Sequence, residues 1–209
     1  MKILVLGNSH VAALRSAYGI KYSGNNEYYF IARPQGFGGL NGLKYQVESD
    51  RLLREDITGF VSWEDRPLSE YDAFVFVGYR VPYLDDGRTF YSSAILKARY
   101  SDVITERIHL KLAVLISESI NKKVYIISHP FQDSEYRPGS TYDSHQKRID
   151  ILNDLIIGSK IDFLPIPELV VETGHAKMKS IYLKDDGAHG NEEYGAVILS
   201  EIDMKLADI

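Results

Sequence analysis

Five short apolar runs, each too short for a helix and none strictly alternating with polar residues, constrain this 209-residue chain more than any other feature. They are Lys2–Gly7 (KILVLG), Tyr28–Ala32 (YYFIA), Asp72–Val77 (DAFVFV), Val124–Ser128 (VYIIS) and Ile161–Leu164 (IDFL). Runs of this kind, bounded by Gly, Pro and polar residues, fit strands buried on both faces of a parallel sheet. Segments with helical spacing lie between them. After Asn8, an N-cap candidate, Val11, Leu14 and Ala17 predict a helix that reaches Gly19. Leu43, Val47, Leu52 and Leu53 predict one over Leu40–Leu53. Asp102–Ile120 is the clearest amphipathic stretch, with Val103, Ile104, Ile108, Leu112, Leu115 and Ile116 on one side. Asp143–Ile157 and Glu192–Leu206 complete the set, and the polar segment Tyr79–Tyr100 reads as a long surface loop. Strand–helix alternation implies an α/β sandwich with a mostly parallel five-stranded sheet and right-handed crossovers. No repeat and no linker-like tract divides the chain, so one domain over 1–209 is expected.

Composition removes several function classes. The chain has no Cys, which excludes a disulfide scaffold, a thiol nucleophile and Cys-ligated metal. A net charge of −5 without a basic block argues against a nucleic-acid surface. No apolar run approaches membrane-spanning length, and Met1–Gly7 is too short for a signal peptide, so a cytoplasmic protein is expected. There is no Gly-x-Gly-x-x-Gly fingerprint and no P-loop, so no nucleotide is expected and no cofactor is called for. His109, His145 and His175 lack carboxylates at ligand spacing, and no metal site is expected. The 15 Tyr against 8 Phe and 1 Trp suit either a sugar-binding surface or partly exposed core edges.

In open parallel sheets, ligands bind beyond the carboxyl ends of the strands. The residues there are Gly7-Asn8-Ser9-His10, the glycines of Pro34–Gly39, Gly78-Tyr79-Arg80, His129-Pro130, and Lys184–Asn191. They include a hydroxyl, an Asp–His pair and glycines that expose backbone N–H groups, the parts of an activated nucleophile and an oxyanion hole. Ser9 would sit at a strand-to-helix turn. Asp186 and His189 are three apart across Gly187, a spacing that lets the carboxylate fix the imidazole tautomer. Each piece alone has a plainer explanation: a helix cap for Ser9, a surface turn for Asp186–His189, backbone geometry for the glycines. His10 is either a second hydrogen-bonding group at the mouth of the site or a first-turn residue packed against a loop. His129 reads as structural, beside a proline that ends its strand.

Gly7-Asn8-Ser9 before a helix, and Asp186-Gly187-Ala188-His189 followed by Asn191, Tyr194, Gly195 and a closing helix, resemble the first and last blocks of the SGNH (GDSL-type) hydrolases. The resemblance spans roughly residues 2–200. It implies a three-layer flavodoxin-like sandwich and serine-dependent hydrolysis or transfer of ester-linked acyl groups, acetylated carbohydrates among the substrates. It also implies Ser9 as nucleophile, His189 as base and Asp186 as its orienter. Oxyanion donors would be the Ser9 N–H and a glycine of the second loop, Gly38 or its neighbour Gly39. The family's third donor, an Asn, is missing: Arg80 stands in that block. Arg80 then substitutes for it, anchors an anionic substrate, or points to solvent. A non-catalytic binding module built on the same sandwich is the alternative from another class.

Overall fold

The computed structural model describes residues 1–32, 44–56, 59–62, 65–82, 92–104, 107–128, 141–187 and 189–207. The elements in chain order are β1 (Lys2–Gly7), α1 (Val11–Ile20), β2 (Glu27–Ala32), β3 (Tyr45–Glu48), β4 (Arg51–Asp56), β5 (Gly59–Ser62), β6 (Ala73–Tyr79), α2 (Ser93–Ile104), α3 (Ile108–Ile120), β7 (Lys123–Ser128), α4 (Tyr142–Leu155), β8 (Ile161–Leu164) and α5 (Glu192–Leu206). Five of the strands form one sheet in the order β2-β1-β6-β7-β8, and every pairing in it is parallel. Counted along the chain, that is the flavodoxin-like order 2-1-3-4-5.

Alternation along the strands builds two cores. Ile3, Val5, Val75, Val77 and Ile127 face α1 and α5, meeting Leu14, Ala17, Ile198, Leu199 and Ile202. Leu4, Leu6, Phe74, Phe76 and Ile126 face the other way, toward Leu112 and Ile116 of α3 and Ile149 and Leu152 of α4. Side chains buried on both faces explain why the strand sequences show no polar alternation, and the result is a three-layer α/β/α sandwich. No helix among the described residues is long and apolar enough to cross a membrane.

Two expectations are corrected. The helix expected over Leu40–Leu53 is, from Tyr45 on, an antiparallel hairpin of β3 and β4, continued by β5 into a three-stranded sheet. Tyr45 and Val47 pack against the α3 face and alternate with Gln46 and Glu48, a period of two. Ser49 and Asp50 both have positive φ, 50° and 63°, as a two-residue primed turn requires. Asp50 also ties the hairpin to the chain entering β6: its carboxylate accepts the Ser69 N–H at 3.0 Å and its carbonyl accepts the Leu68 N–H at 2.7 Å.

The segment 79–120 also departs from its expected form. The expected surface loop includes the start of α2, whose Tyr100 and Ile104 are buried. The single helix expected over Asp102–Ile120 is two, because Arg107 is extended (φ −76°, ψ 128°). Their apolar faces serve different partners, α2 packing on α4 and α3 on β7, and one straight helix cannot meet both. Residues 83–91 of that loop lie outside the described ones.

Two features of the packing are testable. A Cβ on Gly195 of α5 would lie 2.2 Å from the Ala13 carbonyl oxygen of α1, a backbone atom that cannot swing aside. Gly195→Ala is expected to lower the unfolding free energy by about 1–3 kcal/mol, read from the urea midpoint.

Two histidines, the buried His145 and the half-buried His109, set the second. Burial first, and a nearby Arg next, hold His109 and His145 down at about 4, with Arg107 and Arg148 the respective cations. A group that titrates lower when folded than its ordinary 6.5 binds its proton in the unfolded chain first. Stability therefore falls as pH drops from 6.5 toward 4, by about 1.4 kcal/mol per pH unit for each such residue. The His109 ring stands edge-on to Phe76 and Tyr79, and its Nε2 has no hydrogen-bond partner among the described residues. His109→Leu is expected to shrink the stability lost between pH 7 and pH 5 by about 2 kcal/mol, measured by urea unfolding at both.

Candidate active site

The carboxyl ends of β1 and β6 lie side by side, and their crossovers leave toward opposite edges of the sheet, β1 to β2 and β6 to β7. This is the switch point where such sheets bind ligands. The turn after β1 is held by Asn8. Its carbonyl accepts the Val11 N–H at 3.1 Å, its Oδ1 accepts the His10 N–H at 3.1 Å, and its Nδ2 donates to the Gly78 carbonyl at 3.3 Å. The N-cap expected at Asn8 falls at His10, whose side chain makes no capping bond. Asn8 instead fastens the turn to β6.

Gly78 makes that possible. β6 stays in register with β7 through Val77 and resumes at Tyr79 opposite Ser128, leaving Gly78 as an extra residue, a bulge, at φ +87°. The Asn8 amide occupies the space a Cβ would take, its Oδ1 2.3 Å from the Cβ position.

The loop before α5 brings the other groups. Gly187 turns it at φ +64°, the Gly187 N–H bonds the Lys184 carbonyl at 2.9 Å, and Lys184 N–H bonds the His189 carbonyl at 2.8 Å. Asn191 caps α5 by accepting the Tyr194 N–H at 3.1 Å, while its amide donates to the carbonyls of Ile181 and Leu183 at 2.8 and 3.2 Å. One side chain thus fixes both the helix start and the loop carrying Asp186 and His189.

The two segments, 180 residues apart, meet in a relay. Asp186 Oδ2 is 2.7 Å from His189 Nδ1, and Asp186 Oδ1 accepts the His189 N–H at 2.9 Å. His189 Nε2 is 3.0 Å from Ser9 Oγ. With the carboxylate accepting from Nδ1–H, Nε2 is left with its lone pair toward the serine hydroxyl, so Ser9 donates. The His189 side chain is 26% exposed, open enough for a substrate to approach.

His10 stands beside this relay, its ring centroid 6.0 Å from that of His189 and its residue only 4% exposed. Burial chiefly, then the neighbouring His189 and Arg80, push it down to about 4, against the pull of Asp186. It is a neutral ring at neutral pH, packed in the first turn of α1. Arg80 follows β6 directly and is exposed, near enough for its charge to act on His10. Ser9, Asp186 and His189 are thus brought into hydrogen-bonding order, with His10 and Arg80 around them. Gly38, Gly39 and His129 lie outside the described residues.

A second Ser–His pair escaped the sequence reading. Ser128, at the end of β7, has its Oγ 3.0 Å from His145 Nε2, and both residues are at most 1% exposed. The Ser128 hydroxyl donates to the Leu164 carbonyl at 3.2 Å, so the imidazole is the donor of the pair and the hydroxyl is not activated. It is a buried tie between β7, β8 and α4. A serine ending a strand and a lone histidine on a helix carry no spacing signal that would have joined them.

Compared with family models and with curated proteins, the chain matches none.

The bulge carries a prediction. Gly78→Ala puts a Cβ at a positive φ and against the Asn8 amide. It is expected to cost about 1–3 kcal/mol in urea unfolding while leaving the far-UV circular dichroism spectrum intact.

Proposed function

We propose that the protein is a serine esterase of the SGNH type, acting on a small acyl ester such as an O-acetylated carbohydrate. One observation carries this: the continuous hydrogen-bonded order Asp186–His189–Ser9 at the switch point of a flavodoxin-like sheet. In this reading Ser9 Oγ attacks the ester carbonyl while His189 Nε2 takes its proton, and Asp186 stabilises the imidazolium that forms. The oxyanion develops at the start of α1, where the Ser9 N–H and the helix dipole favour negative charge. His189 returns its proton to the leaving alcohol, leaving an acyl-Ser9 ester. Water, activated by the same imidazole, then releases the acid; a hydroxyl acceptor in its place gives acyl transfer by the same intermediate.

His10 supports the reading as a neutral neighbour. A charged ring 6.0 Å away would oppose the imidazolium that the attack requires, and burial keeps this one uncharged.

Hydrolysis of p-nitrophenyl acetate, butyrate and octanoate by the wild type and by Ser9→Ala tests the proposal. Ser9→Ala and His189→Ala are each expected to reduce kcat/KM by about 1000-fold or more with the unfolding midpoint unchanged. Asp186→Asn is expected to fall in kcat through the wrong tautomer. A Ser9-dependent fluorophosphonate label without ester turnover would redirect the reading to a transferase. Equal rates for wild type and Ser9→Ala, with no label, would refute it.

A further inference from the structure

Along β6 the side chains alternate as far as Val77: Ala73, Val75 and Val77 face α1 and α5, and Phe74 and Phe76 face α3 and α4. The extra residue Gly78 resets the alternation. Tyr79 and Val81 both join the α3 and α4 face, so Arg80 between them is turned to the face that carries Ser9, His10 and His189. Without the bulge Arg80 would fall on the opposite face, since a one-residue shift moves every later side chain across the sheet. The electrostatic influence of Arg80 on His10 agrees with that placement.

We infer that Arg80 is the recognition residue for an anionic group, a carboxylate or phosphate, on the acyl ester that Ser9 attacks; this rests on the esterase reading above. A guanidinium offers a planar fork of donors that matches both anions. The chain carries a net charge of −5, and the loop that carries His189 also bears Asp185 and Asp186, so an anionic substrate needs a cation at the rim to approach. Anchoring that anion at Arg80 also orients the ester. The exposure of Arg80 separates this role from that of an oxyanion donor, which acts in a dry, preorganised setting. An oxyanion donor weighs equally on charged and neutral esters; an anchor weighs on the charged ester alone.

Two probes distinguish them: 3-acetoxybenzoate and its methyl ester, with kcat/KM measured on the wild type, Arg80→Gln and Arg80→Lys. The wild type is expected to prefer the carboxylate by about 10-fold or more. The preference falls to near parity in Arg80→Gln, chiefly through KM, returns in part in Arg80→Lys, and weakens at about 0.5 M salt. A preference that survives Arg80→Gln, or equal losses on both esters, overturns the inference. If the wild type cleaves neither probe, calorimetric titration with 3-acetamidobenzoate, which keeps the carboxylate and resists cleavage, separates the two claims. Binding that is lost in Arg80→Gln upholds the anion site and leaves the esterase reading to the Ser9 experiments above; binding that is absent or indifferent to Arg80 removes the anion site.

Discussion

The contact on which the site depends is the approach of α5 to α1 at Gly195, where helix backbone lies against the Ala13 carbonyl with no side chain between. Ser9 precedes α1 and His189 precedes α5, so the distance between the two functional groups is set by how closely and in what phase these helices pack. Polar links hold the phase. Ser16 donates to Glu192 at 3.0 Å, Lys21 pairs with Glu193, and farther along the Asp203 carboxylate accepts from Tyr22, Asn26 and Tyr28 at 2.9, 2.7 and 2.6 Å. Exposed pairs such as Lys21–Glu193 add little energy singly. Spaced along α5 from Glu192 to Asp203, they fix its rotation and slide against α1 and the chain that follows it, which is what a 3.0 Å contact between Ser9 and His189 requires.

The same links account for the tyrosine content. Tyr18, Tyr22, Tyr28 and Phe30 form a ring cluster under the edge of α1, with two of the hydroxyls delivered to Asp203. Tyr71, Tyr79, Tyr100 and Tyr194 are buried in the cores. Among the described residues, then, these tyrosines serve as core residues, those of the cluster under α1 with hydroxyls tethered to Asp203.

What the sequence disclosed follows the physics of each element. The five parallel strands were legible because burial on both faces leaves continuous apolar runs, and α5 was legible to its ends because Asn191 marks its start. The β3–β4 hairpin was not: in Leu43, Val47, Leu52 and Leu53 two periods compete, and the turn at Ser49-Asp50 lacks the glycine that usually betrays it. At the site, Ser9, Asp186 and His189 could be named from their joint placement, a serine after the first strand and an Asp–His pair before the last helix, each being ordinary alone. The Gly78 bulge could not, since a lone glycine at a strand end does not say whether the strand stops or shifts. Which way Arg80 faces hangs on that shift, and so lay beyond the sequence.

The direction of the strands gives the molecule two electrically different ends. In a parallel sheet with return helices, helix N-termini gather at the carboxyl ends of the strands and C-termini at the other. At the far end, a groove of about 790 Å³ is lined by Lys122, Lys123, Lys160 and Lys205 among others. Lys160 donates to the Asn121 carbonyl just past α3 at 2.9 Å, and Lys123 pairs with Asp162 at 2.7 Å. Lys122 and Lys123 follow the end of α3, and Lys205 lies in the last turn of α5, where cations offset the exposed carbonyls. At the near end Glu192 does the same in reverse: its carboxyl is held below the ordinary range first by its backbone N–H and then by the Ser16 hydroxyl. Ser9 lies just before His10, the N-cap of α1, and its hydroxyl is within hydrogen-bonding distance of His189. With a neutral group at that helix start, the partial positive charge is left for what comes to the site, and Arg80 adds a full charge on the same side.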